Sequence, residues 1–212
     1  MNKYLNFSAF YFFLIYCAVY IGYSIMANFI LLDDALYYRE FGEIVGVENV
    51  GRLIEQTRFY QRFSYLFIPL LLLIRPFYTA LFLSTGALLN DQNLTFGQSY
   101  NLSLKADAIF LLEIMIRINY FSIMGADSLQ QISTPLFSLL HWLGPDNVLP
   151  YLAYPLGVLS VFEFIYWILL AAFVSVYTQK NFWRSFYFVL TTYGIGLLLL
   201  VIAVIYITTL FL

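Results

Sequence analysis

Charge is what this sequence has least of. Asp, Glu, Lys and Arg make up 10% of its 212 residues, where soluble globular domains carry about 25%. None of them occurs between Tyr4 and Leu32 or between Ser185 and Leu212. So few charged side chains cannot coat a water-soluble globule of 24.7 kDa. The composition leaves no room for a soluble domain or a disordered tail. A formal net charge of -2, with its bases scattered, offers no patch for nucleic acid. Cys17 is the sole cysteine, so no intramolecular disulfide can form. His141 is the sole histidine, which removes His-cluster metal sites and disfavours Cys-His or Ser-His catalytic pairs. No cofactor and no metal site is expected.

What is present is apolar: 62% of the residues. Five stretches are long enough to be transmembrane candidates, at 7–32, 63–89, 106–124, 152–176 and 185–210. A crossing needs about 20 residues, and only the third is short. The chain reads as an all-α, polytopic membrane protein with a single helical membrane domain. A sixth stretch, 132–143, is too short to span and carries Pro135, so a short interfacial or re-entrant helix is expected between the third and fourth spans. The first apolar run far exceeds the roughly 7–15 residues of a signal-peptide core and lacks a small-x-small cleavage site. Large Tyr16 precedes Cys17, where a lipoprotein signal needs a small residue, so the segment is expected to be a retained helix.

The loop at 33–62 is the one sizeable polar region. Leu36, Phe41, Ile44 and Val45, then Val50, Leu53, Ile54 and Thr57, recur at helical spacing. Two amphipathic helices parted by Gly46 are expected against the membrane surface. Arg39, Glu43, Arg52, Arg58 and Arg62 are its candidate partner- or surface-binding residues. This loop and the one at 125–150 are expected to form a partly ordered cap on one face. With the N-terminus inside, Lys3, Lys105, Lys180 and Arg184 face inward and the four arginines of the first loop face outward. The totals tie, and the third loop and the C-terminus, which lack positive charge, favour N-inside and C-outside.

Four ionisable residues fall well inside spans: Arg75, Glu113, Arg117 and Glu163. Each costs about 2.5–3.5 kcal/mol near a helix centre. Glu113 and Arg117 together cost about 6 kcal/mol, and the apolar residues of the third span return only about 5. That helix needs neighbours. Glu113 and Arg117 stand four apart on one face, acid first, the favourable order. Arg75 and Glu163 are expected to meet across the second and fourth spans, making a buried network at mid-bilayer. On this count the charges balance, and swapping Arg75 with Glu163 should rescue what either single reversal loses.

Other features are structural before they are functional. Pro69 and Pro76 should kink the second span beside Arg75. Ala18 with Gly22 and Ala171 with Ser175 fit small-xxx-small packing, and Gly194 and Gly196 invite close helix approach. Tyr and Phe gather at span ends, as interfacial anchors do. Asp33-Asp34 and Asn90-Asp91 end antiparallel helices and so lie on opposite faces, which disfavours a metal-dependent transferase. Asn93 and Asn101 head glycosylation sequons that matter only in a secretory compartment.

The second half resembles the Yip1-domain family. Leu94-Thr95-Phe96-Gly97-Gln98 is similar to the Thr-Phe-x-Gln segment that opens the family's bacterial block. Phe162-Glu163-Phe164-Ile165-Tyr166-Trp167 resembles its Phe-Glu-to-Trp stretch, and Thr178-Gln179-Lys180-Asn181-Phe182-Trp183-Arg184 its short polar turn before the last helix. The resemblance covers 94–212. The first loop is longer and richer in charge than in a minimal member. The Gly-Pro-type signature of eukaryotic Yip proteins is absent, so roles on small GTPases do not carry over. The family implies five spans and a polytopic scaffold or partner-binding protein with no established chemistry.

The leading expectation is therefore a non-enzymatic scaffold or accessory subunit of a larger membrane complex. Its partners would be other integral membrane proteins, the lipid bilayer or further copies of itself, in a bacterial inner membrane. A small transporter or channel subunit using the charged network is the alternative. A lipid-modifying enzyme with Asp33, Asp34 or His141 at the interface ranks lowest.

Overall fold

The computed structural model describes residues 9–211 and is built of helices. Lys3 and Phe7, used above for orientation and for the first span, lie outside the described residues. The order is α1 (Ala9–Leu31), α2 (Asp34–Val45), α3 (Val47–Leu89), α4 (Phe96–Asp107), α5 (Ile109–Met124), α6 (Leu129–Ser133), α7 (Leu139–Leu143), α8 (Pro150–Val158), α9 (Val161–Thr178), α10 (Phe182–Val189) and α11 (Ile195–Leu210). Five residues of π-helix, Leu190–Gly194, join α10 to α11 into one last helix.

Among the described residues, 4 helices are long and apolar enough to cross a membrane: α1, α3, α9 and the joined Phe182–Leu210. That is compatible with a multi-pass integral membrane protein. The stretch at 106–124 does not qualify. Its helix breaks at Ala108, leaving α5 with 16 residues. Lys105 and Asp107 before the break, with Glu113 and Arg117 after it, dilute its apolar character.

Three further expectations meet a different local structure. The stretch at 152–176 is two helices, parted at Leu159 and Ser160, because backbone there pairs with the preceding loop. Leu139 N–H donates to Leu159 O at 3.0 Å, and Val161 N–H donates to Phe137 O at 3.2 Å. The short helix at 132–143 is likewise two pieces, α6 and α7, separated by Pro135 and by Phe137 at φ 55°. The second amphipathic segment is no separate helix. Nothing between Gly51 and Phe63 breaks it, so α3 runs 43 residues, about 64 Å at 1.5 Å per residue. A bilayer core is about 30 Å thick, so α3 is about twice the length a perpendicular crossing needs. The helix also continues through Pro69 and Pro76.

Gly46, at φ 83°, turns α2 back onto α3. Tyr37 then buries against Val50 and Ile54, with Phe41, Leu53 and Leu129 around them. Burial pushes the Tyr37 phenol above its ordinary range. The larger core packs Leu83 and Ala87 of α3, Leu102 and Ala106 of α4, Tyr166 and Leu170 of α9, and Val189 with Tyr193 of the last helix. Close approach of α3 to the last helix depends on two glycines. A Cβ at Gly196 would lie 2.6 Å from the Phe82 ring, and one at Gly86 would clash with the Thr192 methyl.

Gly86→Val and Gly196→Val should each destabilise the bundle by about 1–3 kcal/mol, the usual cost of overpacking. Gly22→Ala, where no atom stands within 4 Å of the added Cβ, should leave it unchanged. Thermal unfolding of the detergent-solubilised protein reads the difference.

Candidate functional site

Arg75 sits at the centre of the bundle, held by groups from several helices. Its Nη2 lies 2.5 Å from Glu163 Oε2 and its Nε 3.3 Å from Asp107 Oδ1. The guanidinium carbon stacks 3.7 Å from the Phe110 ring centre and 4.6 Å from that of Tyr166. A cation between two aromatic faces gains about 2 kcal/mol or more when desolvated. The carboxylates are fixed in turn. Glu163 Oε1 accepts from Trp167 Nε1 and from Tyr193 OH, each at 2.8 Å. Tyr16 OH, on α1, donates to Asp107 Oδ2 at 3.1 Å. Tyr166 OH donates to Thr79 Oγ1 at 3.0 Å. One guanidinium therefore links α1, α3, α4, α9 and the last helix.

Local sequence explains the placement. Ser160 caps α9, its Oγ accepting from Glu163 N–H at 3.2 Å, which sets Glu163 in the first turn. Trp167 follows four residues on, over the same face. Tyr193 sits in the π-helical turn, a widening common at functional sites. Gln98 Oε1 accepts from Thr95 N–H at 2.8 Å and starts α4, which ends on Asp107. Asn181 Oδ1 accepts from Trp183 N–H at 3.0 Å and starts α10.

Asp107 joins the cluster although nothing in its sequence context marks it. It stands one position inside the expected start of the third span, where an acid is an ordinary border residue. Its role changes the charge count. Arg75 faces two carboxylates, so the cluster carries a formal charge of -1 where balance was expected. Asp107 is also the more weakly bound acid, since its buried Oδ1 accepts no hydrogen bond from a described residue.

Glu113 and Arg117 form a second group. Arg117 Nε is 3.7 Å from Glu113 Oε1. The same oxygen accepts from Leu136 N–H at 3.4 Å. Leu136 lies in the non-helical stretch after Pro135, where buried backbone lacks helical partners and must find others. Glu113 supplies that acceptor.

The polar loop residues divide. Arg39 Nη2 donates to Ala126 O at 2.6 Å and its Nη1 lies 4.0 Å from Asp127 Oδ1, while Glu40 Oε2 accepts from Leu129 N–H at 2.9 Å. These bonds tie α2 to the loop before α6, the two loops expected to form a cap. Arg58 is taken up by Asp34 at 2.5 Å. Glu43, Arg52 and Arg62 are exposed, as is Asp33. His141 lies edge-on to Tyr120, with ring centres 6.0 Å apart. Among the described residues, no three His, Cys, Asp or Glu side chains gather so as to hold a metal ion.

A cavity of about 610 Å³ opens beside the cluster, between α3, α5, α6, α7, α8, α9 and the last helix. Arg75, Glu113 and Glu163 line it together with Tyr154. Elsewhere its walls are mainly apolar.

Arg75→Leu should cost about 3–5 kcal/mol by stranding buried carboxylates. Adding Asp107→Asn and Glu163→Gln should restore much of the folded yield in detergent. The swap of Arg75→Glu with Glu163→Arg should rescue poorly, because the introduced carboxylate would face Asp107, and should improve once Asp107→Asn is added. Asp107→Asn alone should be milder than Glu163→Gln. At the cap, Arg39→Ala with Glu40→Ala should speed proteolysis near 125–130 with little change in melting temperature, as exposed pairs add about 0–1 kcal/mol.

No family model, no curated protein and no solved structure matches this chain.

Proposed function

We propose that the protein is a non-enzymatic membrane scaffold or accessory subunit of a larger membrane complex, related in outline to Yip1-domain proteins. The observation that supports this most directly is how the buried charges are used. Arg75, Asp107 and Glu163 fasten five helices, and Glu113 with Arg117 secures the irregular backbone at Leu136. Charges engaged in this way build a stable framework, which suits a protein that presents surfaces to partners. The broken α4–α5 pair is the fifth crossing in this reading. Its short, charged second half gains from neighbours in an assembly. The Yip1-like markers fit the same role, since Thr95 with Gln98 and Asn181 start helices and Glu163 anchors the cluster. We place it in a bacterial inner membrane with the N-terminus inside and the C-terminus outside, an orientation supported by the third loop and α11, which carry no Lys or Arg.

The cavity at Arg75, Glu113 and Glu163 favours a second reading, a small transporter or channel subunit.

Native purification in mild detergent, with mass spectrometry of stoichiometric companions, tests the first reading. A defined set of larger membrane proteins is the expected result, and a lone species would overturn it. For the second reading, Glu113→Gln and Glu163→Gln that assemble normally yet abolish solute flux in proteoliposomes would replace the scaffold with a pathway.

A further inference from the structure

The cavity beside Arg75 contains hydrogen-bond donors that the protein leaves unused. Nε and Nη2 of Arg75 face Asp107 and Glu163, but Nη1 donates no hydrogen bond to a described residue. A third of the Arg75 side-chain surface is exposed although the residue is central to the bundle, and the cavity is what it lines. Tyr154, across the wall on α8, likewise has a hydroxyl that donates to no described residue. The groups nearest Arg75 are in the opposite condition. Both Glu163 oxygens are engaged, and Tyr193 and Tyr78 spend their hydroxyls on Glu163 and on Gly196 O. Around the Arg75 guanidinium, then, what is left open is donor capacity, while Glu113 Oε2 and the Gln130 amide stand farther along the lining.

Charge decides what can use it. An anion would ordinarily suit a guanidinium. Here the guanidinium already has two carboxylates, and Glu113 on the same cavity wall is offset by its pairing with Arg117, so the net charge stays at -1. A further negative group would enter a site of net negative charge inside an apolar bundle and be repelled. A neutral acceptor meets no such penalty. The volume, about 610 Å³, falls within the roughly 300–1,000 Å³ of small-molecule sites, which combine apolar walls with a few placed polar groups.

We propose that this cavity binds a neutral, lipid-like molecule whose carbonyl oxygen accepts hydrogen bonds from Arg75 Nη1 and the Tyr154 hydroxyl, with its apolar body along α8 and the last helix. Two sources share this chemistry, a quinone ring and an acyl ester of a glycerolipid. The inference goes beyond the scaffold reading and needs no partner protein.

Native mass spectrometry of the full chain in detergent, titrated with decylubiquinone, dioleoylglycerol or palmitate, tests it. A one-to-one adduct with a neutral probe is expected, and palmitate should bind about tenfold more weakly or not at all. Decylubiquinone alone assigns a quinone, dioleoylglycerol alone an ester, and both together the carbonyl they share. Ala153→Trp, which fills the cavity without touching the charged cluster, should weaken binding about tenfold. Tyr154→Phe should weaken it about fivefold, one ordinary hydrogen bond. If Ala153→Trp melts far below the parent protein, Gly157→Leu fills the same wall. Binding of neither neutral probe, equal binding of palmitate, or wild-type binding by a well-folded filled variant each overturns the proposal.

Discussion

A single guanidinium organises this bundle. Bringing Arg75 into the interior is costly, and the cost is met only by many partners acting together: two carboxylates and two aromatic faces. Three of these four are held by further bonds: Asp107 by Tyr16, Glu163 by Trp167 and Tyr193, and Tyr166 by Thr79. Because those groups come from α1, α3, α4, α9 and the last helix, the cluster specifies which helices adjoin. Apolar packing in lipid is poorly directional, so a polar hub of this kind fixes register where hydrophobic contact alone would not.

The rest of the interior follows from the same need to satisfy polar groups away from water. Two helix termini that fall inside the bundle are capped by buried side chains, Ser160 at α9 and Ser138 at α7. The stretch around Pro135 forms no helix, so its backbone turns to Glu113 and to the strand-like bridge between Ser138 and Ser160. That bridge is the reason an apolar run long enough to be one span divides into α8 and α9. The division swings α8 aside and opens the cavity next to Arg75.

Outside the bundle the balance of forces differs. The α2–α3 hairpin and its bonds to the loop before α6 lie where water competes for every hydrogen bond. Buried Tyr37, Val50 and Ile54 hold it more than Arg39 or Arg58 do. The N-terminal half of α3 presents a polar surface, with Glu43, Arg52 and Arg62 exposed around it.

Much of the class of this protein was legible in its composition. Long charge-free runs force helices, since only a helix satisfies its own backbone in lipid, and Gly46 marked the hairpin because a turn at positive φ suits glycine. Arg75 and Glu163 stood out for the same reason, as charges with no water to face. Asp107 did not, because a carboxylate near a helix end looks alike whether it meets solvent or folds inward against Arg75. The break at Ser160 was hidden too: its cause is a bridge to Ser138, a partner 22 residues away that no local pattern announces. Local chemistry therefore determined which segments become helices and which charges need company. Tertiary structure alone decided which company each charge keeps, because that depends on helices meeting in space, and with it where the cavity lies.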